Sequence, residues 1–280
     1  MPVKVGLAAA AALLLLLAPA TADDFVGFEA RYIPHVEYDG KPVETEGYLT
    51  IAVQQICDSF HYMWNSTQTV TLPDRVEENQ NSGVWHEKLD GTGGTVHYFV
   101  QDGTLVDGQI VRVYIDNFFG EFERAAPNWQ GTIELTRQSG DIEILYKMPL
   151  YEDVLTPGLA YKSMLDRLAA GETSFTQPVS IVGMLDSLDP AYATKAQVTV
   201  ETVESPFANL ELPQTPDGMF GERFWVVSVS NLSLYADDGV KTLTYQLFEN
   251  GLRGYILSES KHFRVLFEPV TAHAVLPEPC

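Results

Sequence analysis

Six histidines and two cysteines are the side chains of this sequence best suited to chemistry. His61, His86 and His97 lie on segments that could be neighbouring strands, so a metal or acid–base cluster stays open there. Scattered histidines on a strand surface are the favoured interpretation. Neither a Gly-x-Ser-x-Gly elbow nor a His-Glu-x-x-His pair occurs. Most enzymatic signatures are thus absent, and we assign no catalytic residue, metal or cofactor from these side chains.

The charge of the chain restricts its partners. The 280 residues carry 17 basic and 38 acidic side chains, a formal net charge of −21. Such a surface repels nucleic-acid phosphates and anionic lipid headgroups. Hydrophobic residues make up 45% of the chain, which is enough for a packed core. We expect a folded protein that binds no nucleic acid.

Residues 1–22 have the pattern of a secretory signal peptide. Lys4 supplies the positive charge, an Ala- and Leu-rich run follows, and small residues near positions 20–22 suit cleavage. The run is shorter than the ~20 residues of a membrane span. We therefore expect cleavage, a periplasmic location and a chain that does not span the membrane.

Export changes the interpretation of the two cysteines, Cys57 and Cys280. Outside the cytosol two thiols most often form a disulfide, and no histidine lies at metal-ligand spacing from either. A bond between them would join the last residue to an early strand. Such a long closure favours one domain over residues 23–280.

The histidines and cysteines must be positioned by short segments rich in β-branched and aromatic residues. These segments are separated by turn dipeptides. Six are Asp-Gly pairs, which include Asp102-Gly103 and Asp107-Gly108, and one is Asn250-Gly251. The pattern predicts an all-β domain of antiparallel strands. The predicted strands are 26–32, 48–56, 60–64, 84–89, 95–101, 110–115, 131–137, 142–148, 175–181, 198–203, 224–235, 243–248, 254–257 and 263–267.

One main helix interrupts the strands. Thr156 can cap it, Pro157 suits its first position and Gly171 suits the residue after its end. Its apolar residues fall mainly on one side, so we expect it to pack on the sheet or plug it. A weaker helical turn is predicted over 185–193, and 205–221 is predicted to be a long loop.

Aromatic residues on two strands form a candidate apolar binding surface. Phe60, Tyr62 and Trp64 share one face of their strand, and Trp225 lies on a strand that is apolar on both faces. Core packing is the favoured interpretation. An apolar pocket or groove for a lipid, an acyl chain or a partner segment is the alternative.

Several blocks of sequence, in order, resemble the envelope integrity protein B family (EipB-like) of exported bacterial β-proteins, long described as a domain of unknown function. The last block is the most similar. The blocks are Glu46-Gly47-Tyr48-Leu49-Thr50, Cys57-Asp58, Glu87-Lys88-Leu89-Asp90-Gly91, Leu155-Thr156-Pro157, Ala169-Ala170-Gly171, Tyr245-Gln246-Leu247-Phe248-Glu249-Asn250-Gly251, His262-Phe263 and Cys280. Two segments depart from the family pattern. Leu159 and Ala160 stand where the family usually has a histidine, and 175–178 replaces a Phe-Asp-Gly-Ser-like turn.

The resemblance implies a single antiparallel β-spiral or open barrel, closed by the Cys57–Cys280 disulfide. It also implies a non-enzymatic periplasmic role in cell-envelope integrity and brings no catalytic residue. We expect the protein to act by binding a periplasmic protein partner or a lipid-like apolar ligand. The alternatives are a lipid or lipoprotein carrier with a half-open β-barrel, and an exported hydrolase.

Overall fold

The computed structural model describes residues 27–125, 130–150, 153–179, 196–215, 218–221, 223–230 and 242–276. These residues form fourteen strands and one helix. The strands are β1 Gly27–Tyr38, β2 Lys41–Ile56, β3 Ser59–Thr71, β4 Val76–Lys88, β5 Gly93–Val106, β6 Gln109–Ala125, β7 Gln130–Ser139, β8 Ile142–Leu150, β9 Ser174–Val179, β10 Ala196–Thr202, β11 Phe224–Ser230, β12 Thr242–Phe248, β13 Arg253–Glu259 and β14 Phe263–Val275, and the helix is α1 Pro157–Ala169.

All fourteen strands belong to one antiparallel sheet. Its order is β8-β7-β6-β5-β4-β3-β2-β1-β14-β13-β12-β11-β10-β9. Every neighbouring pair except one is a pair of consecutive strands, as hairpin connections produce. The exception is β1 with β14, which pair over most of their length from Gly27↔Val275 to Tyr38↔Phe263. This long-range pairing joins the first eight strands to the last six, and β8 and β9 are the edges of an open sheet.

Alternating residues form the inner face of the sheet, as the sequence predicts. On β1, Phe28, Ala30 and Tyr32 are buried while the residues between them are exposed. The core also contains apolar residues of the later strands and the buried side of α1. An antiparallel all-β fold with one main helix is confirmed for the described residues.

The strands are longer than predicted, and one predicted turn is wrong. Asp102-Gly103 lies inside β5, and the chain turns instead at Asp107-Gly108. Asp102 stays in the strand because it pairs with Asn79 of β4 and accepts a hydrogen bond from its side chain. Pairing with β4 therefore keeps Asp102-Gly103 in the strand, and Asp107-Gly108 forms the turn.

The predicted helix is confirmed with small changes at its end. It begins at Pro157 after Thr156, and Gly171 has a φ of +89° just beyond it. No helix in the described segments has the length and apolar character needed to cross a membrane. The signal peptide over 1–22, the helical turn over 185–193 and Cys280 lie outside the described residues.

Candidate functional site

A buried carboxylate on β4 holds the start of α1. Glu87 is only 2% exposed. Its carboxylate accepts hydrogen bonds from the Thr156 hydroxyl and from the Gly158 backbone N–H, the latter at 2.8 Å. The Trp85 indole donates a further bond at 3.1 Å. Thr156 therefore does not cap the helix with its own side chain. Glu87, 69 residues earlier in the chain than Thr156, supplies the negative charge that a helix N-terminus favours.

Burial raises the pKa of Glu87, and the three hydrogen bonds oppose that rise. Arg124 is close enough for the Glu87 charge to act on it, although burial lowers the Arg124 pKa overall. The Arg124 guanidinium donates to the Val154 carbonyl just before the helix. We name Trp85, Glu87, Thr156 and Gly158 the helix clasp.

The turn that follows Glu87 makes room for the helix. Asp90 Oδ1 accepts hydrogen bonds from the Thr92 backbone N–H at 2.9 Å and from its hydroxyl at 2.7 Å, which shapes the turn. Gly91 has a φ of +70°, and a Cβ there would lie 2.5 Å from Leu159 Cδ1. Each polar or glycine residue of the Glu-x-x-Asp-Gly block thus has a contact that fits α1 against the sheet.

The middle of α1 is fixed by the turn between β12 and β13. Tyr161 donates its hydroxyl to the Gly251 carbonyl at 2.5 Å. The Tyr245 hydroxyl lies 3.4 Å from the sulfur of Met164. The Asn250-Gly251 block and the Glu87 block, about 160 residues apart in the sequence, therefore hold the same helix.

The two segments that depart from the family pattern contact each other. Gln177 of β9 is buried, and its amide donates to the Ala160 carbonyl at 3.0 Å. Ala160 itself is 1% exposed. This contact uses the main chain of Ala160 and joins β9 to α1.

A small cavity lies beside α1 and contains a buried cation. Its walls are Phe28, Tyr32, Ile51, Val53, Tyr62, Tyr161, Gly251 and Arg253, and we name it the tyrosine cavity. It has room for about one water molecule. Arg253 is 2% exposed, and its guanidinium carbon is 4.1 Å from the centre of the Tyr245 ring and 5.6 Å from that of Tyr161. Sequence reasoning missed this site because Arg253 follows a turn and has the appearance of a surface residue.

The structure places the predicted aromatic binding residues in the interior. Phe60, Tyr62 and Trp64 face the core and are buried, and Trp225 is partly buried against the same core. Of the four, Tyr62 lines the tyrosine cavity. The shared face of the three β3 residues is confirmed, and in this conformation it offers no surface to a partner.

The two cysteines cannot both be located. Cys57 lies in the two-residue turn between β2 and β3, with a φ of 55°. The Gln54 amide, three residues earlier, donates to the carbonyl of Leu276 at 3.2 Å. Cys280 lies outside the described residues, so the Cys57–Cys280 disulfide stays a prediction.

The histidines that the sequence suggested as neighbours are partly brought together. His61 and His86 are paired across β3 and β4, with ring nitrogens 3.2 Å apart. His97 instead stacks on Phe119, with ring centres 4.3 Å apart. In the described segments no three His, Cys, Asp or Glu side chains are placed to hold a metal ion. The arrangement is a pair of outward-facing histidines beside an aromatic stack.

An apolar surface covers the outer face of β6 and β8. Side chains that alternate along β6 share this face, and Leu145 of β8 lies on the same face, with Thr136 of β7 between it and Phe119. Every member is more than two-fifths exposed. We name this set the hairpin surface: Val111 60%, Val113 52%, Ile115 44%, Phe119 46% and Leu145 63%.

Polar side chains occupy the inner face of β4 to β7, which the sequence did not reveal. Asp116 is fully buried, 2.6 Å from Arg137, and accepts a hydrogen bond from the Tyr114 hydroxyl. Asn81 donates to Asn79 in the same region. These residues look like loop residues in the sequence, and the only available signal was their alternation with exposed positions.

These features define the chain as an all-β protein: in the described residues, an open antiparallel sheet carries one helix on its core. The chain is similar to the crystal structure of a beta-barrel-like protein of domain of unknown function DUF1849 from Brucella abortus. The two share 16% sequence identity at a TM-score of 0.57, and the match covers 92% of this chain and 100% of that chain. At this identity the likeness shows a common fold. No family model matches the sequence, and no curated protein matches it.

Proposed function

We propose that this chain is an exported, non-enzymatic protein of the envelope integrity protein B family, which supports the cell envelope by binding a protein partner through the hairpin surface. The fold shared with the DUF1849 protein supports the family proposal. So do the Glu87 and Asn250-Gly251 blocks, because both have specific contacts with α1. The signal-peptide pattern of residues 1–22 supports periplasmic export, and the Cys57–Cys280 disulfide belongs to the same proposal.

The hairpin surface is the observation that carries the binding role. Scattered exposed apolar residues are ordinary, but neighbouring ones on a single sheet face are typical of an interaction site. Val111, Val113 and Ile115 lie at alternating positions of one strand, so their side chains are adjacent, and Phe119 follows on the same face after Asn117. Covering them would remove apolar area from water, which favours association.

Charge indicates the chemistry of the partner. Glu121 and Glu143 lie on the same outer face as the hairpin surface, where Glu134 is paired with Lys147, and the whole chain has a net charge of −21. A second copy of this chain would be repelled by that charge. We therefore propose a partner that presents apolar side chains surrounded by lysine or arginine.

The interior gives less support to a lipid ligand. The tyrosine cavity has room for about one water molecule, whereas a bound acyl chain needs a pocket of several hundred Å³. The predicted apolar residues Phe60 and Trp64 are already packed in the core. We therefore place the partner on the outer face of the sheet.

The test uses a bacterial strain that lacks the gene for this protein. Variants of the protein are expressed in that strain, and growth in detergent is measured. The double substitution Val113→Glu, Leu145→Glu places two charges on the hairpin surface, and we expect it to abolish restored growth in detergent at normal protein levels. Val270→Glu is the matched control, because Val270 is 39% exposed on β14 and lies outside the hairpin surface. Full growth of the double variant would refute the proposal.

A second measurement distinguishes a protein partner from a lipid. Photo-crosslinking residues placed at positions 113 and 145 should give the same protein adduct, and one at position 270 should not. Arg112 immediately precedes Val113 and its side chain lies on the opposite face of the strand, so a crosslinker there serves as a near control. Lipid adducts alone at position 113 would contradict a protein partner.

A further inference from the structure

Arg253 is a buried cation without a carboxylate. It is the first residue of β13 and 2% exposed, and among the described residues no Asp or Glu forms an ion pair with it. The titratable groups that act on it are the phenols of Tyr245, Tyr161 and Tyr62. An isolated buried charge is strongly unfavourable, and proteins normally pair it with an opposite charge. The charge of Arg253 therefore requires a counter-ion.

Aromatic rings cover the faces of the guanidinium but leave its edges unsatisfied. The Tyr245 and Tyr161 rings lie 4.1 Å and 5.6 Å from its central carbon, which is cation–π contact. Nη1 and Nη2 have no hydrogen-bond acceptor of normal geometry in the described part of the chain. The Tyr62 hydroxyl is also buried and has no partner there. Buried polar groups are almost always satisfied, so three donors that converge beside one cavity are suited to bind a polar ligand.

These unsatisfied groups and the cavity are in the same place. Tyr62 and Arg253 both line the tyrosine cavity, and Phe28, Ile51 and Val53 form its apolar wall. The Tyr32 hydroxyl is already used, because it donates to the Arg253 carbonyl at 3.0 Å. The cavity therefore offers two cationic N–H donors and one hydroxyl donor to whatever occupies it.

The tyrosines do not neutralise the cation. Burial raises the pKa of Tyr32, of Tyr62 and of Tyr161, and the charge of Arg253 only partly opposes this rise. They are thus neutral phenols under ordinary conditions. A water molecule would satisfy hydrogen bonds but would leave the positive charge without compensation.

We propose that the tyrosine cavity binds one small anion of the size of chloride, held by Arg253 Nη1 and Nη2 and by the Tyr62 hydroxyl. The size follows from the room for about one water molecule, and the sign follows from the unpaired cation. Because β1, β2, β3, α1 and β13 all contribute walls, the anion stabilises the joint between the helix and the sheet.

The experiment measures thermal unfolding of the full exported chain in sodium chloride and in sodium gluconate at equal ionic strength. A ligand that binds only the folded state raises the melting temperature with the logarithm of its concentration. We expect about 3–5 °C for each tenfold rise in chloride above its dissociation constant, and no such rise in gluconate. Equal melting temperatures in the two salts across the whole range would overturn the proposal.

Variants assign the effect to the cavity. Arg253→Met removes the cation at similar volume, and its melting temperature should not respond to chloride. Arg223→Met is the control, because the Arg223 side chain is 81% exposed, and it should respond as the wild type does. A chloride response retained by Arg253→Met would also overturn the proposal.

If Arg253→Met does not fold, the more conservative variant Tyr62→Phe still tests the proposal. Tyr62→Phe keeps the cation and the aromatic ring but removes one donor, so the response should shift to at least about tenfold higher chloride. An unchanged response would count against the site. Formate is the last probe: a rise in formate without one in chloride would replace the small anion by a carboxylate ligand and refute the proposal as stated.

Discussion

Replacement of Glu87 by alanine should loosen α1 from the sheet. The substitution removes the acceptor for the Trp85 indole, the Thr156 hydroxyl and the Gly158 backbone N–H, all of them buried. Each buried donor that loses its acceptor costs about 1–3 kcal/mol. Water can enter the space that the side chain leaves and recover part of this loss. We therefore expect Glu87→Ala to lower the free energy of unfolding by about 3–5 kcal/mol.

Urea unfolding followed by tryptophan fluorescence measures this loss, and Trp85 itself reports on the clasp. Glu87→Gln is the matched control, since it keeps the volume and one acceptor oxygen and should lose less than half as much. A loss below about 1 kcal/mol for Glu87→Ala would refute the reasoning, because it would mean that the three donors are satisfied without the carboxylate.

Three further predictions follow from the same contacts and from the predicted disulfide. Burial raises the pKa of Glu87 above its usual 4.5, so the folded protein binds this proton more tightly than the unfolded chain. The measured quantity is the free energy of unfolding of the wild type minus that of Glu87→Gln. This difference should fall as pH rises from 4.5 through the raised pKa, and it should stay constant at higher pH. A rise of the difference over this pH range would contradict the prediction. Gly91→Ala should cost about 1–3 kcal/mol in urea unfolding, since its φ is +70° and the new Cβ would meet Leu159, and Leu159→Ala in the same chain should recover the steric part. Cys57→Ser should lower the melting temperature of the exported protein by roughly 10 °C, and an unchanged midpoint would exclude a stabilising disulfide.

The local pattern of the sequence predicted most of the strands. All fourteen predicted segments coincide with strands of the structure where they lie in the described residues. On β1 the alternation of Phe28, Ala30 and Tyr32 also predicted the buried face. This succeeds because side-chain alternation and turn dipeptides act over a few residues, and consecutive antiparallel strands need only a short turn to pair.

Strand lengths were underestimated where the inner face is polar. The prediction began β4 at residue 84, but the strand begins at Val76, and Asn79 and Asn81 point inward and are buried. Hydrophobic periodicity cannot detect an inward-facing asparagine, because burial of that residue depends on a partner on another strand. Asn79 has such a partner in Asp102 of β5.

The candidate sites were predicted least well. The sequence predicted that Tyr62 belongs to an apolar face, but it did not predict that Arg253 lies beside Tyr62. The two residues are far apart in the chain, and they meet only because β1 pairs with β14 and joins the two halves of the sheet. The contact of Glu87 with Gly158 is also long-range, because 71 residues separate the two in the chain. By itself the sequence determined strands, turns, the helix and the acidic surface, since these depend on neighbouring residues and on composition. The tertiary structure alone decided which carboxylate caps the helix and which cation is buried, because the groups around Glu87 and Arg253 come from distant segments of the chain.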